Sequence, residues 1–583
     1  MNKTEDTRRT KTEEYDIEKR FKRTDTLTRR KLLEYIPVMI MTNMSVFVLS
    51  TVDGLVAGNL VGSDALASIQ IFMPAVLMIS VVSVLVSSGA GTSLSTCIGQ
   101  NDVEAIRRTK NAVRTTMIAA AVIVAVVQMP IIYIIMSSYD LNPEIKSMVW
   151  QYAAGMMIAL PIGLISSVGS YQLTILGKMR VLMVLSLGES IINLVMDLFF
   201  VEVMHLGVAG IGYGTACANV FRCSVTLIYL LKKSDVLRIN YSGTHWKEVK
   251  DILRCGMPDA AASMMIAAQN YFMMKIILEG FGEDGGVIKG VCFLAYSITN
   301  ILTLGIQGAM RPLIGLYAGS GDTEAMKLLM RRCLMISVSS VGLLAILMGT
   351  FPEFIYRLNG VKAIPEGGIM SMKYYLMSFI FLSMDALFRL YFANRKDSRF
   401  ATSLTLIGNA TLPVFALMMY RFMTAPHIWL AYLMMELPIF LINVLRYLWW
   451  RKKDQTNRNP SEKVLFLSVK HEDAIEASRS IRRFAEEHGY PQRVAYRMSL
   501  CMEEMVAYAV ESQNNPGIEI QITARFSGDE GRFMMLDDGA CIALDENETT
   551  KTLITNNYEL LKKIAKSVEY QYILNMNYTV ITF

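Results

Sequence analysis

The segment SLGESIINLVMDLFF (186–200) sets Glu189, Asn193 and Asp197 at intervals of four residues. On an α-helix that spacing places all three along one face. Two carboxylates and an amide aligned in an otherwise apolar helix suit the handling of a proton or a Na⁺ ion. A desolvated carboxylate readily takes up a proton, so protonation can be tied to conformation. A small cation would instead use the same oxygens as ligands. Asp53 stands in a different apolar stretch. Further along, Asp385 and Arg389 are four residues apart, a spacing that favours an internal ion pair. Lys275 and Glu279 share that spacing, and Glu436 is another isolated acid. Gln269, Asn270, Asn300 and Asn409 are candidates for lining a substrate cavity or for holding helices together. Ionisable groups at membrane depth cost free energy, so each is a functional candidate. The 41 methionines would suit a wall that accepts varied apolar cations, although most will pack against lipid or helices.

The elements that position these residues follow from composition. The chain has 583 residues, 53% of them hydrophobic and 19% charged, against about 25% charged in soluble domains. Charge is concentrated in residues 1–33 and 451–583, so the long middle is poorer still. Such a middle needs lipid as its solvent, which excludes a soluble multidomain enzyme. A span of hydrocarbon takes about 20 residues. Twelve candidates are present, near 34–61, 68–98, 112–136, 146–175, 180–203, 207–231, 257–280, 288–318, 326–350, 367–393, 400–422 and 427–449. Most contain Gly, Pro or a polar residue, which a bundle interior tolerates.

Basic residues fix the orientation. Arg107, Arg108, Lys110 and Arg114 follow the second span, Lys178 and Arg180 the fourth, and a basic loop the sixth. Lys327, Arg331 and Arg332, then Arg395, Lys396 and Arg399, then Arg451, Lys452 and Lys453 follow the eighth, tenth and twelfth. The loops between (SSYDLNPE, EVMHLG, EGFGEDGG) are nearly free of Lys and Arg. The positive-inside rule then places both termini in the cytoplasm of a multi-pass plasma-membrane protein. The net charge of +6 reflects this asymmetry and does not imply a nucleic-acid partner. The eight cysteines lack C-x-x-C spacing and the five histidines are scattered, so neither a disulfide framework nor a metal site is expected. The first 33 residues carry no apolar stretch, so no cleavable signal peptide is expected.

A repeat organises the middle. SSGAGTSLSTCIGQNDVEAIRRTKNA (87–112) aligns with IQGAMRPLIGLYAGSGDTEAMKLLMRRC (306–333), offset by about 220 residues. The expected fold class is therefore an all-α polytopic membrane protein of twelve helices in two six-helix repeats, with an α+β domain after them. The lobes would be 34–231 and 257–450, joined by the cytoplasmic loop 232–256 and preceded by a polar tail, 1–33. Parallel halves around a central cavity are secondary-transporter anatomy. A polar linker, 451–463, leads to residues 464–583. There VLFLSV, IEIQITARF and GRFMMLDDG alternate like strands, the last two forming a hairpin. HEDAIEASRSIRRFAEEHG, RVAYRMSLCMEEMVAYAVES and YELLKKIAKSVEY read as helices.

Residues 30–450 resemble the multidrug and toxic compound extrusion (MATE) family. The resemblance lies in STVDGLVAGNLVGSDALAS (50–68), GQND (99–102), GVAGIGYGTACANV (207–220), RCGMPDAA (254–261) and GIQGAMRPLIGLYAGSGD (305–322), in their order and spacing. It implies a cation-coupling site in the N-terminal lobe made by an Asp of the first span and an Asn/Asp pair of the fifth, where Asp53, Asn193 and Asp197 stand. Asp385 would match the tenth-span acid of the Na⁺-coupled branch. Residues 464–583 resemble the GHKL ATPase fold of anti-sigma-factor serine kinases through MSLCMEEMVAYAV (498–510), MLDDGACIALD (535–545) and LNMNYTVITF (574–583). That resemblance implies Glu504 as general base, Asp537 as the adenine-binding carboxylate and Gly539 for close backbone approach. Tyr508 stands where the family's Mg²⁺-binding amide should be, and no glycine follows Gly539. The resemblance thus implies a degenerate domain for ATP and Mg²⁺, and no kinase activity.

The expected function is export of organic, cationic small molecules through the lipid bilayer in exchange for H⁺ or Na⁺. A flippase for lipid-linked precursors or polysaccharides is the alternative transport reading. A membrane-tethered, anti-sigma-like signalling protein with a cytoplasmic regulatory partner is the alternative of a different class.

Overall fold

The computed structural model describes residues 24, 26–100, 102–137, 143–233, 246–281, 284–358, 361, 363–456, 462–511, 518, 520–527, 530–539 and 563–583. The first half holds α1 (Thr26–Val56), α2 (Ser63–Gln100), α3 (Val103–Ser137), α4 (Pro143–Ile175), α5 (Met179–Leu198) and α6 (Val208–Lys233). The second holds α7 (Trp246–Phe281), α8 (Asp284–Ser320), α9 (Thr323–Thr350), the short α10 (Pro352–Leu358), α11 (Gly368–Leu376) followed at once by α12 (Phe379–Asn394), α13 (Ser398–Phe422) and α14 (Leu430–Thr456). Among the described residues, nine helical stretches are long and apolar enough to cross a bilayer. The other three expected spans, near 34–61, 207–231 and 257–280, are helical in α1, α6 and α7. Large apolar side chains such as Val122, Val126 and Ile134 on α3, or Leu343 and Ile346 on α9, point outward. That surface suits lipid and would be unstable in water.

Within the first half α4 packs on α6 and α2, and α5 on α6; within the second α13 packs on α7 and α14, and α9 on α12. The halves meet through α2 against α7 and α8, and α1 against α8. Glycine makes the closest approach possible. A Cβ on Gly99 would strike the Leu316 carbonyl, one on Gly319 the Thr96 carbonyl, and one on Gly256 the Leu85 carbonyl. The two copies of the repeated sequence therefore face each other across the interface between the halves. Each copy ends in the same cap: Asp102 Oδ1 accepts the Ala105 N–H at 2.9 Å, and Asp322 Oδ1 accepts the Ala325 N–H at 2.8 Å. Both satisfy a donor that a helix start leaves unpaired.

The C-terminal unit contains β1 (Glu462–Val469), α15 (Ala474–Glu487), α16 (Gln492–Glu511), β2 (Ile520–Ser527), β3 (Glu530–Asp537), β4 (Ser567–Ile573) and β5 (Met576–Thr582). The strands form an antiparallel sheet in the order β1-β2-β3-β5-β4. Successive strand residues face opposite sides. Ile520, Ile522, Ala524 and Phe526, with Phe533 and Met535, join the core made by Ala477 and Ile481 of α15 and Met498 and Met502 of α16. The opposite face carries Met534, Leu536, Tyr578 and Val580 into the core of the helical bundle.

Four elements differ from the sequence reading. Helix α1 starts at Thr26, inside the expected polar tail, because Leu27 and Leu32 are buried with the sheet. Helices α7 and α14 extend into the expected loop and linker. The expected third helix of the tail, 558–570, is overturned at its C-terminal end: Ser567–Ile573 is strand β4, paired along its length with β5. Residues 558–562 lie outside the described residues.

Candidate functional site

Helices α1 and α5 bring together the residues singled out from sequence. Asp53, Asn193 and Asp197 are buried side by side, with Thr215 of α6 closing the group. Asn193 donates to Asp53 Oδ1 at 3.0 Å and accepts the Thr215 N–H at 3.3 Å. The Thr215 hydroxyl donates to Asp53 Oδ2 at 3.3 Å. The Asp53 and Asp197 carboxyl groups lie within hydrogen-bonding reach of each other. Asp197 rests on Gly214, where a Cβ would overlap Oδ1, and that oxygen has no hydrogen-bond partner. Two adjacent carboxyl groups in a buried site need either a shared proton or a bound cation to balance their charge. The site's own donors, an amide and a hydroxyl, are neutral. The arrangement can therefore take up and release one positive charge.

Backbone geometry contributes as well. Immediately beyond each aspartate the helix widens into a π-helical turn, Ala57–Val61 after α1 and Phe199–Val203 after α5, and the two turns pack together. Such turns often accompany functional sites.

Glu189, on the same face of α5, has a separate partner: Arg222 Nη1 donates to its Oε2 at 2.6 Å and Nη2 donates to Ser170 at 2.9 Å. In the second half the i, i+4 pair is formed, with Arg389 donating to Asp385 and Asn443 donating to Asp385 Oδ1 at 2.9 Å. Glu436 is buried nearby. Gln269 and Asn409 meet, Gln269 Nε2 donating to Asn409 Oδ1 at 2.6 Å. Asn300 is half-buried on α8, apart from that pair, and the side chain of Asn270 lies outside the described residues. Among the described residues no group of three or more His, Cys, Asp or Glu could hold a metal ion, and seven cysteines are free thiols.

Sequence reasoning did not single out Thr215, Gly214 and Arg222, or a buried contact between the halves. There Arg311 of α8 donates to Asp259 Oδ2 of α7 at 2.7 Å and to the Ser88 hydroxyl of α2 at 2.8 Å. An arginine in the middle of an apolar span was the available signal for both Arg222 and Arg311.

In the tail, Glu504 is half-buried on α16. Asp537 ends β3, where its Oδ1 accepts from the Gly539 N–H at 3.0 Å and from Asn577 Nδ2 at 2.7 Å. The side chain of Tyr508 and residues 540–562 lie outside the described residues.

Two packed helical halves, with a buried carboxylate pair in one of them, define a polytopic membrane protein. The comparisons specify the fold. A family model described as MatE matches residues 38–199. The multidrug export protein MepA of Staphylococcus aureus strain NCTC 8325 is 22% identical over 398 residues, covering 68% of this chain and 88% of MepA. MepA of Staphylococcus saprophyticus is 22% identical over 396 residues, covering 66% and 85%. A MATE family multidrug resistance transporter of the MOP superfamily, solved in an outward-facing conformation, superposes with TM-score 0.68 at 17% identity, covering 74% of this chain and all of that one. A MOP superfamily transporter from Pyrococcus furiosus, described as having a binding pocket of reversed polarity, gives 0.65 at 17% identity, covering 73% and 95%. The chain is a multi-pass membrane protein with the MATE fold.

Proposed function

We propose that this chain is a secondary antiporter that exports organic cations in exchange for H⁺ or Na⁺. The observation that carries the reading is the buried Asp53–Asn193–Thr215–Asp197 group. Charging that group with a proton or Na⁺ favours one arrangement of the halves, and substrate favours the other. The similarity to multidrug export proteins supports the substrate class. Buried Arg311 and half-buried Arg222 and Arg389 each face a carboxylate, which favours cation export over a flippase with a cationic lining. The reading includes twelve spans, with both termini and the GHKL-like tail on the cytoplasmic face of the plasma membrane, where the basic clusters lie. It assigns the tail no kinase activity.

The test uses inverted membrane vesicles carrying the full chain, with H⁺ and Na⁺ gradients imposed separately. Adding an organic cation such as ethidium should dissipate one of the two gradients. Asp53→Asn and Asp197→Asn should each abolish that coupling while leaving protein level and melting behaviour near the parent's. Undiminished coupling in both variants would sink the site assignment.

A further inference from the structure

The outward face of the C-terminal sheet is seated on the ends of the two repeated segments. Helix C-termini leave their last carbonyls without intrahelical partners and attract positive charge. At the end of α2, Tyr578 donates to the Gly99 carbonyl at 2.7 Å and Arg532 donates to the Gln100 carbonyl. At the end of α8, Arg525 donates to the Ser320 carbonyl at 3.3 Å, and Thr523 donates to Asp322 Oδ2 at 3.2 Å. One rigid sheet thus caps two helices related by the internal repeat, one in each half. Cross-strand register makes this possible, since Thr523 stands opposite Met534 and Met534 opposite Val580. All three side chains emerge on the same face as Tyr578. Burial raises the Tyr578 hydroxyl above its ordinary pKa, so it stays protonated and able to donate.

The attachment is asymmetric. Beyond α2, the first half also holds the tail through Arg30 and Asp538 at 2.5 Å, and through Lys31, which donates to the Asn575 carbonyl at 2.9 Å. Among the described residues, the tail's hydrogen bonds to the second half given above come from β2.

We propose that the C-terminal unit is a latch, anchored on the first half, that holds the second half against it at the basic end of the bundle and must let go of α8 before that end can open. The inference rests on the transport reading insofar as alternating access requires the halves to part there. The backbones at Gly99 and Gly319 are in contact, and a sheet bonded to both helices cannot follow each of them.

The test uses full-length protein in lipid nanodiscs, with Cys97, Cys217, Cys223, Cys255 and Cys541 replaced by Ser. Spin labels are attached through Arg107→Cys on α3 and Arg331→Cys on α9, both exposed in the parent. Pulsed dipolar spectroscopy should give a single short distance for this background. Adding Thr523→Val and Arg525→Ala, which remove the bonds to Asp322 and Ser320 of the second half, should create a second, longer population. The same pair should raise initial ethidium efflux severalfold in proteoliposomes. Arg525→Gln gives a milder cut should the pair fold poorly. Amide exchange of β2 confirms that the sheet persists. An unchanged distance distribution with an intact sheet overturns the latch, even if efflux continues. A longer population without ethidium movement keeps the latch and overturns the transport reading.

Discussion

At the residue scale, the aligned acids of α5 divide into two chemistries. Asp197 faces another carboxyl group, whereas Glu189 has its counterion in Arg222. The difference was not legible from spacing, because i and i+8 share a face whatever stands opposite. What stands opposite is set by α6, which supplies Thr215 and Gly214 to one acid and Arg222 to the other. Asp53 and the Asn193–Asp197 pair were readable because polar groups in apolar spans are conspicuous. Glu189→Gln should leave the Arg222 guanidinium buried without its charge partner, which costs about 3–5 kcal/mol. Glu189→Leu with Arg222→Leu removes both charges and should lose far less. Thermal unfolding of detergent-purified protein compares the two. Equal melting temperatures would mean that the ion pair contributes nothing to stability.

At the element scale, the helices were legible because a bilayer imposes a length and an apolar composition on anything that crosses it. The π turns were not, since AGNLV and FFVEV carry no residue that demands a wider turn. Strand β4 was misread because KKIAK preceding it has strong helical propensity. Its alternation matters only once β5 is there to pair with it. The repeat motif was visible in sequence, but its role was not: its glycines let α2 and α8 touch backbone to backbone. Gly99→Val should wedge that seam, with an overpacking cost of about 1–3 kcal/mol, shifting the population toward the open form by about an order of magnitude. Labelling of Cys97, half-buried two residues away, by a membrane-impermeant maleimide should accelerate accordingly. A rate equal to the parent's would show that the seam does not control access.

At the scale of the whole molecule, the tail's sheet buries both faces, one under α15 and α16 and the other on the bundle. Nucleotide binding of the kind the resemblance implies would need the edge near Asp537 and Gly539 open to adenine, with a glycine-rich lid beyond to wrap phosphates. Here Asp537 accepts from the Gly539 N–H and from Asn577, so Oδ1 serves as a clasp between β3 and β5. No glycine follows Gly539. Docking to the helices, by contrast, uses side chains from three strands. On the proposed reading this unit docks on the helices and does not bind ATP. Titration of the full-length chain with MgATP should therefore give no saturable heat up to ~1 mM, a standard free energy no better than about −4 kcal/mol. Asp537→Asn should loosen the β3–β5 pairing, seen as faster amide exchange in β5, without altering any response to nucleotide. Micromolar binding of MgATP, competed by ADP and lost in Asp537→Asn, would instead make the tail a nucleotide-controlled element and reverse the assignment of Asp537 from clasp to ligand.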